Sequence, residues 1–303
     1  MNIAAIITRN RLPQFTVMVN SLLKYHPDVH FHLLMLDDIK PDHFTKLNSD
    51  VSSIEYYRPD EFCNKNDLLR LYSAHNPFEL ACIFKSLFTK HLLQVVKIDS
   101  VVYCDSDLFF TNSISGFISA LKKSNALFVP HRVIADTKPS VPSIYQETKL
   151  MTTGIFNLGF FGLVNTAETL RFLDWWSQRM LSMCRREPSN GLFDDQYWIN
   201  SAVVLFDKFS AFRDPGYNVA VWNLKERLLV KTKGQYFALN CPLCFFHFSG
   251  FEATQTLFLA SYSHIKIPPG SALEELCLEY LKELNLQNYS KFLEFPFSKA
   301  MTI

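Results

Sequence analysis

Ser100-Val101-Val102-Tyr103-Cys104-Asp105-Ser106-Asp107 is an apolar run that ends abruptly in two carboxylates. The run reads as a buried strand. Asp105 and Asp107 are two residues apart, so in extended chain their side chains point the same way. Placed side by side they repel unless a cation lies between them. A hard divalent ion takes carboxylate oxygens and keeps positions open for water or phosphate. The segment therefore reads as a metal and diphosphate site at a strand end. The plain alternative is a solvated turn, because D-x-D also arises by chance in surface loops.

Outward from this stretch, the first hundred residues alternate between strand and helix patterns. Ile3–Thr8, His30–Leu36 and Ser53–Tyr57 read as strands. Residues 13–25 place Phe15, Val19, Leu22 and Leu23 at helical spacing, with Pro13 where a first-turn proline is tolerated. Residues 78–93 put Leu80, Ile83, Phe84, Leu87 and Phe88 on one helix face. Such alternation implies a parallel sheet covered by helices on both faces, with ligands at the carboxyl ends of the strands. Further along, residues 133–153, with Pro139 and Pro142, read as a mobile loop suited to be a lid. Ile155–Val164 reads as a strand in which glycines mark close backbone approach. Residues 166–184 form an amphipathic helix, and Asp194–Ala202 begins a helix or turn. Phe245–Phe248 is a short aromatic strand. Ser271 and Glu274 form a capping box for a helix over 271–283.

The 303 residues carry 30 basic and 29 acidic side chains, a net charge of +1, which gives no reason to expect nucleic acid as a partner. Hydrophobic residues make up 48% and charged residues 19%, which excludes disorder and implies a sizeable core. No apolar run approaches the ~20 residues of a membrane span. The first residues lack a basic n-region and a cleavage site, so a cytoplasmic location is expected. The seven Cys are scattered, and Cys241-Pro-Leu-Cys244 has no second pair, so buried reduced thiols are expected rather than a zinc or redox site.

Four motifs in order carry a family resemblance. Asp105-Ser106-Asp107 is followed by Phe156-Asn157-Leu158-Gly159-Phe160-Phe161-Gly162, by Asp194-Asp195-Gln196 with Asn200, and by His247-Phe248-Ser249-Gly250. Tyr217–Leu224 (YNVAVWNL) adds a Y-N-x-x-x-W-N segment. The series resembles nucleotide-sugar-dependent glycosyltransferases of the GT-A fold, in particular the group typified by glycogenin and bacterial lipopolysaccharide galactosyltransferases. The resemblance spans roughly residues 1–252. It implies an α/β fold, Rossmann-like, with a mostly parallel sheet and flanking helices. To this the sequence adds a small helical C-terminal extension, giving a domain over 1–265 and an extension over 266–303. One departure stands out. Phe251-Glu252-Ala253 follows Gly250, so the lysine that would grip the diphosphate is missing there.

The resemblance also implies roles. Asp105 and Asp107, completed by His247, would hold Mn²⁺ or Mg²⁺. Thr8 and Arg9, in the turn after the first strand, would touch the base and ribose, as would Asp105. Asp37 or Asp38, after the second strand, would accept from base or ribose, or simply form an acidic turn. Lys85 and the Ser249-Gly250 backbone would meet the diphosphate, with Ser106 beside them. Asn157 would donate to a sugar hydroxyl, and Gly159 would leave room for the ring. Trp222 and Asn223 would wall the sugar, or belong to the core. His131 and Arg132 would reach a phosphate. Asp194, Asp195 and Gln196 form the catalytic cluster. A carboxylate there binds sugar hydroxyls or acts as nucleophile or base, and Gln196 stabilises oxocarbenium charge.

The implied activity is metal-dependent transfer of a sugar, with retention, from a nucleotide diphosphate donor to a hydroxyl on a glycan or lipid-linked glycan. A haloacid-dehalogenase-type phosphatase or phosphotransferase and a non-catalytic nucleotide-sugar-binding protein are the rival readings. The tail Tyr289–Ile303, with Phe292, Phe295, Phe297, Lys291 and Lys299, reads either as a peripheral contact with the inner membrane face or as packing on the domain.

Overall fold

The strand that ends in the acidic pair lies at the centre of a seven-stranded sheet. This is a computed structural model; it describes residues 1–37, 54–138, 140–187, 192–251, 259–261, 263 and 265–298. Asp38, Ser53, Pro139, Glu252, Ala253 and Lys299, named above, lie outside the described residues.

In chain order the first half runs β1 (Asn2–Ile7), α1 (Leu12–Leu23), β2 (His30–Met35), β3 (Ile54–Tyr57), α2 (Lys65–Ala74), α3 (Pro77–His91), β4 (Ser100–Cys104), β5 (Leu108–Phe110), α4 (Ser115–Leu121) and β6 (Ala126–Pro130). The second half runs α5 (Val141–Thr153), β7 (Phe156–Val164), α6 (Ala167–Met183), β8 (Arg186–Glu187), β9 (Leu192–Phe193), α7 (Ile199–Leu205), β10 (Phe209–Ala211) and β11 (Val219–Ala220). After these come β12 (Leu229–Thr232), β13 (Gln235–Ala238), β14 (Cys241–Pro242), β15 (Phe245–His247), α8 (Ala272–Leu286) and α9 (Tyr289–Leu293).

The main sheet has the order β10-β6-β7-β4-β1-β2-β3. It is mainly parallel, as the alternation implied, but β7 runs antiparallel to both β4 and β6. Two apolar layers cover it. One gathers Leu68, Phe84, Phe88, Phe172 and Trp176 from α2, α3 and α6. The other gathers Phe15, Met18, Leu22 and Phe117 from α1 and α4. Fully burying such a side chain contributes roughly 1.5–3 kcal/mol. The two layers together account for the continuous apolar runs of β1 and β4, which are buried on both faces.

Three local devices shape the site end of this sheet. First, α3 begins at Pro77, where Asn76 accepts from the Glu79 N–H and the Glu79 carboxylate accepts from the Asn76 N–H. Second, the β6–β7 register jumps between Phe128 and Val129, from Phe161 to Asn157 as partners. The bulge frees Leu158 and Gly159 from β6, so their carbonyls serve the site instead. Third, β5 pairs antiparallel with β15 in a second, three-stranded sheet, and this register sets His247 opposite Leu108.

Residues 133–153 are not a loop throughout. Residues 141–153 form α5, because Pro142 falls in its first turn and Ser140 caps it by accepting from the Ser143 N–H. Pro142, which reads as loop punctuation, is here part of a helix start. At the other end of the chain, α8 starts where expected, with Ser271 accepting from the Glu274 N–H. The Glu274 carboxylate, however, accepts from Gly270 rather than from Ser271. Tyr280 of α8 stacks on Phe248 with ring centroids 3.9 Å apart and planes 6° from parallel. In the described part of the tail, Phe297 stacks on Tyr72 and Phe292 packs against the α1 layer. Packing on the domain is thus the reading this segment favours.

Candidate active site

β4 delivers Asp105 and Asp107 to the floor of a cavity of about 1020 Å³. The Asp105 N–H donates to the Gly159 carbonyl at 2.7 Å, which fixes the acidic turn to the bulge of β7. The Asp107 carbonyl accepts from the Phe248 N–H at 2.9 Å, which fixes it to the end of β15. His247 follows from that pairing. Its Nε2 lies 3.0 Å from Asp107 Oδ1 and its Nδ1 lies 3.2 Å from Asn218 Oδ1. The donor atoms of Asp105, Asp107 and His247 all lie within 4.8 Å of one another. Thus three positions spread over 142 residues of sequence converge on one point.

The chemistry of this trio fits a divalent ion. With Nδ1–H donating to Asn218, the Nε2 lone pair faces a carboxylate oxygen. Two acceptors at that distance need a proton or a metal ion between them. The space is also kept open. A Cβ at Gly159 would lie 2.4 Å from His247 Cε1 and 3.0 Å from Asp105 Oδ2, so a larger residue would displace both side chains. Burial pushes the Asp105 carboxyl above the usual range despite the nearby Lys85, and Asp107 adds to the rise. Burial opposes ionisation of Asp107 too, but the facing His247 outweighs it and holds that carboxyl below its ordinary value. One of the two acids is ready as an anion, and the second gains most from added positive charge.

Lys85 joins this pair to Asp195. It reaches in from α3 with only 6% of its surface exposed. Its Nζ lies 3.4 Å from Asp105 Oδ1 and 3.0 Å from Asp195 Oδ2, and donates to the Leu158 carbonyl at 3.0 Å. Burial favours the neutral amine, yet Asp105 and Asp195 overcome it and keep the ammonium charged. Tyr103 donates its hydroxyl to Asp105 Oδ1 at 2.9 Å. Gln196 donates Nε2 to the Thr153 carbonyl at 2.8 Å, which ties the cluster to the end of α5. Thr8, Ser106, Asn157, Trp222, Ser249 and Gly250 also line the cavity.

The other expected residues are divided between the cavity and its surroundings. Arg9 is outside the cavity lining; its guanidinium lies 3.8 Å from the centre of the Phe295 ring, and its N–H donates to Asp37. Asp37 is likewise a brace for the turn after β1 and not part of the lining. The adjacent Arg11 lines the cavity instead, and sequence reasoning missed it. Asp194 faces the cavity in part, but its carboxylate accepts from both Nε and an Nη of Arg186, another missed residue. Its backbone is left-handed, φ 46°. Asn223 is a buried turn-holder, bonded to Ala220, Asn218 and His131. His131 and Arg132 do line the cavity; His131 is buried and faces the Ile155 carbonyl, and Arg132 is held by Glu147 and Glu226.

With this geometry in view, comparison with known proteins is informative. Residues 2–226 match the family model described as glycosyl transferase family 8.

The chain belongs to glycosyl transferase family 8.

The family match over residues 2–226 supports a glycosyltransferase and not the phosphatase reading. The uncharacterized Bacillus subtilis (strain 168) protein YfnF is 24% identical over 252 residues, covering 82% of this chain and 80% of YfnF. Among solved structures, the galactosyltransferase LgtC, in complex with donor and acceptor sugar analogues, superposes with a TM-score of 0.57 at 15% identity. That match covers 93% of the family 8 chain and 95% of LgtC. GlyE of Streptococcus pneumoniae TIGR4 superposes with a TM-score of 0.54 at 15% identity, covering 98% of this chain and 66% of GlyE. At such identities the superpositions establish the GT-A fold. Among the described residues, no helix of this glycosyltransferase is long and apolar enough to cross a membrane.

Proposed function

We propose that this glycosyltransferase uses a divalent ion and a nucleotide diphosphate sugar, and that it transfers the sugar with retention to a hydroxyl of a glycan or lipid-linked glycan. The observation that carries the reading is the convergence of Asp105, Asp107 and His247 around Gly159 on the cavity floor. Asp105, Asp107 and His247 would hold the ion, of which Mn²⁺ suits a mixed carboxylate and imidazole set. When bound, such an ion offsets the charge that builds on a departing diphosphate. The cavity volume of about 1020 Å³ is at the upper end of small-molecule sites, as a nucleotide sugar requires.

The residues themselves favour one route to retention. Asp195 is 4% exposed and ion-paired to Lys85, so its carboxylate is a poor nucleophile for a double displacement. Gln196 has its amide nitrogen engaged by Thr153, and its carbonyl oxygen is the remaining dipole for a positively charged anomeric centre. Same-face substitution follows: the bond from C1 to the diphosphate oxygen breaks, the acceptor oxygen bonds to C1 from that face, and its proton passes to the departing phosphate oxygen. Asn157 and Asp195 position the sugar hydroxyls. Trp222 closes the wall beside His247, with ring centroids 5.2 Å apart. We assign catalysis to residues 1–265 and a bracing role to 266–303.

A thermal-shift panel of sugar nucleotides, with and without Mn²⁺, identifies the donor. Asp107→Asn should then abolish ion-dependent donor turnover while the circular dichroism spectrum is kept. Wild-type turnover in that variant refutes the assignment.

A further inference from the structure

A second group of metal-ligating side chains lies outside the cavity, at the far edge of the main sheet. His30 and His32 are two residues apart on β2, so both imidazoles stand on one face of the strand. Among the described residues β3 is the outermost strand on that side, and its parallel register places Glu55 directly opposite His32. His30 Nε2 lies 3.4 Å and His32 Nδ1 3.5 Å from the same oxygen, Glu55 Oε2. The two rings are 4.7 Å apart, and the three donor atoms lie within 4.8 Å of one another.

The protonation of the site is set by its surroundings. His32 is buried, 2% exposed, between Asn2, Tyr57 and Glu55. Its Nε2 faces Asn2 Oδ1 at 3.3 Å, an acceptor, which places the proton on Nε2. Nδ1 therefore keeps its lone pair on the side of Glu55. The Tyr57 hydroxyl, 3.0 Å from Nδ1, is the donor that a metal ion would replace. A histidine whose other nitrogen is held by an amide oxygen is the arrangement that orients a metal ligand.

We propose that His30, His32 and Glu55 bind a late first-row divalent ion, Zn²⁺ foremost, at a site separate from the catalytic cavity. Two imidazoles and one carboxylate are a zinc donor set with a fourth position open to water. The set differs from Asp105, Asp107 and His247, where two carboxylates to one imidazole favour harder ions. Bound there, the ion pins the outermost strand to β2 and stabilises that edge, without a part in sugar transfer.

The test is a Zn²⁺ titration by calorimetry, with Co²⁺ absorption as a second readout, in the Asp107→Asn variant, which silences the cavity site. One equivalent should bind. His30→Ala with Glu55→Gln should weaken it by about 10- to 100-fold. Both side chains are about half exposed, 44% and 50%, so the fold tolerates the change. In the otherwise wild-type chain, the same pair should remove the Zn²⁺-induced rise in Tm that the edge site produces, with glycosyl transfer unaltered. Failure of the parent to bind Zn²⁺, or equal affinity in parent and edge variant, overturns the proposal. Neither outcome touches the reading of the cavity, whose own test is donor turnover.

Discussion

A Cβ at Gly159 would lie 2.4 Å from His247 Cε1, 2.9 Å from Asn157 Oδ1 and 3.0 Å from Asp105 Oδ2. All three neighbours belong to the site, so Gly159→Ala shifts ligands rather than inert packing. The expected result is loss of ion-dependent donor binding by about 100-fold or more, with an overpacking cost of about 1–3 kcal/mol in urea unfolding. Intact binding with that stability loss would show that the ligands tolerate displacement. His131 gives a pH prediction. Burial lowers its imidazole from 6.5 to about 4, so the folded state binds fewer protons than the unfolded chain between those values. Stability from this residue is full above pH 6.5 and falls as pH drops toward 4, by roughly 3 kcal/mol. Unfolding free energies of wild type and His131→Gln, compared at pH 7 and pH 4.5, should converge at the lower pH. A constant difference would place His131 in the unfolded-like titration range. At this scale Gly159 was legible, because glycine inside a strand signals close approach. Arg9 and Arg11 were not distinguishable: a single 3-10 turn separates the one that stacks on Phe295 from the one that lines the cavity.

Around the turn between β11 and β12 the two readings of Trp222 and Asn223, sugar wall or core, divide between the two residues: Trp222 lines the cavity and Asn223 is buried. Most polar atoms of this segment face inward. Asn218 meets His247 Nδ1, Asn223 bonds three backbone groups, and the fully buried Arg227 donates to the Tyr217 and His131 carbonyls. Only Trp222 and Lys225 of the segment after Ala220, with Val221, line the cavity. The turn therefore acts through His247. Asn218→Ala removes the acceptor that orients its ring and should weaken Mn²⁺ affinity by about 10- to 100-fold, read by electron paramagnetic resonance titration. An unchanged affinity would mean that the β5–β15 pairing alone aims the imidazole. Arg227→Met leaves Glu226 and two carbonyls without their buried cation, and should cost about 3–5 kcal/mol in chemical unfolding. The same limit governs α5. Pro142 and Ser140 carry one signal for a turn and another for a helix start, and the hydrogen bond from Ser143 to Ser140 decides between them.

Over the whole molecule, periodicity was enough to give β1 to β4, α1 and α3, since each buries a run or a stripe that its own spacing displays, but it did not give α2 (Lys65–Ala74). It could not give the reversal of β7 or the second sheet. Both depend on which distant strands meet, and no local pattern encodes that. The motif order supplied what periodicity could not, by naming the residues that had to converge. The C-terminal segment is the part least written in any motif, and its packing makes a last prediction. β15 carries His247, and the next residue, Phe248, is clamped by Tyr280 of α8, which is 1% exposed and also meets Phe109 and Phe251. Phe109 and Phe248 flank the β5–β15 pairing that sets His247 against Asp107. Removing the ring at 280 therefore opens a cavity under both strands. Tyr280→Ala should cost about 3–5 kcal/mol of stability and loosen Mn²⁺ binding in proportion, whereas Tyr280→Phe, which keeps the stack, should retain nearly all of both. Should Tyr280→Ala unfold at wild-type urea concentration, or lose stability while binding Mn²⁺ as tightly as before, the extension is a cover for the domain and not a brace for the metal site.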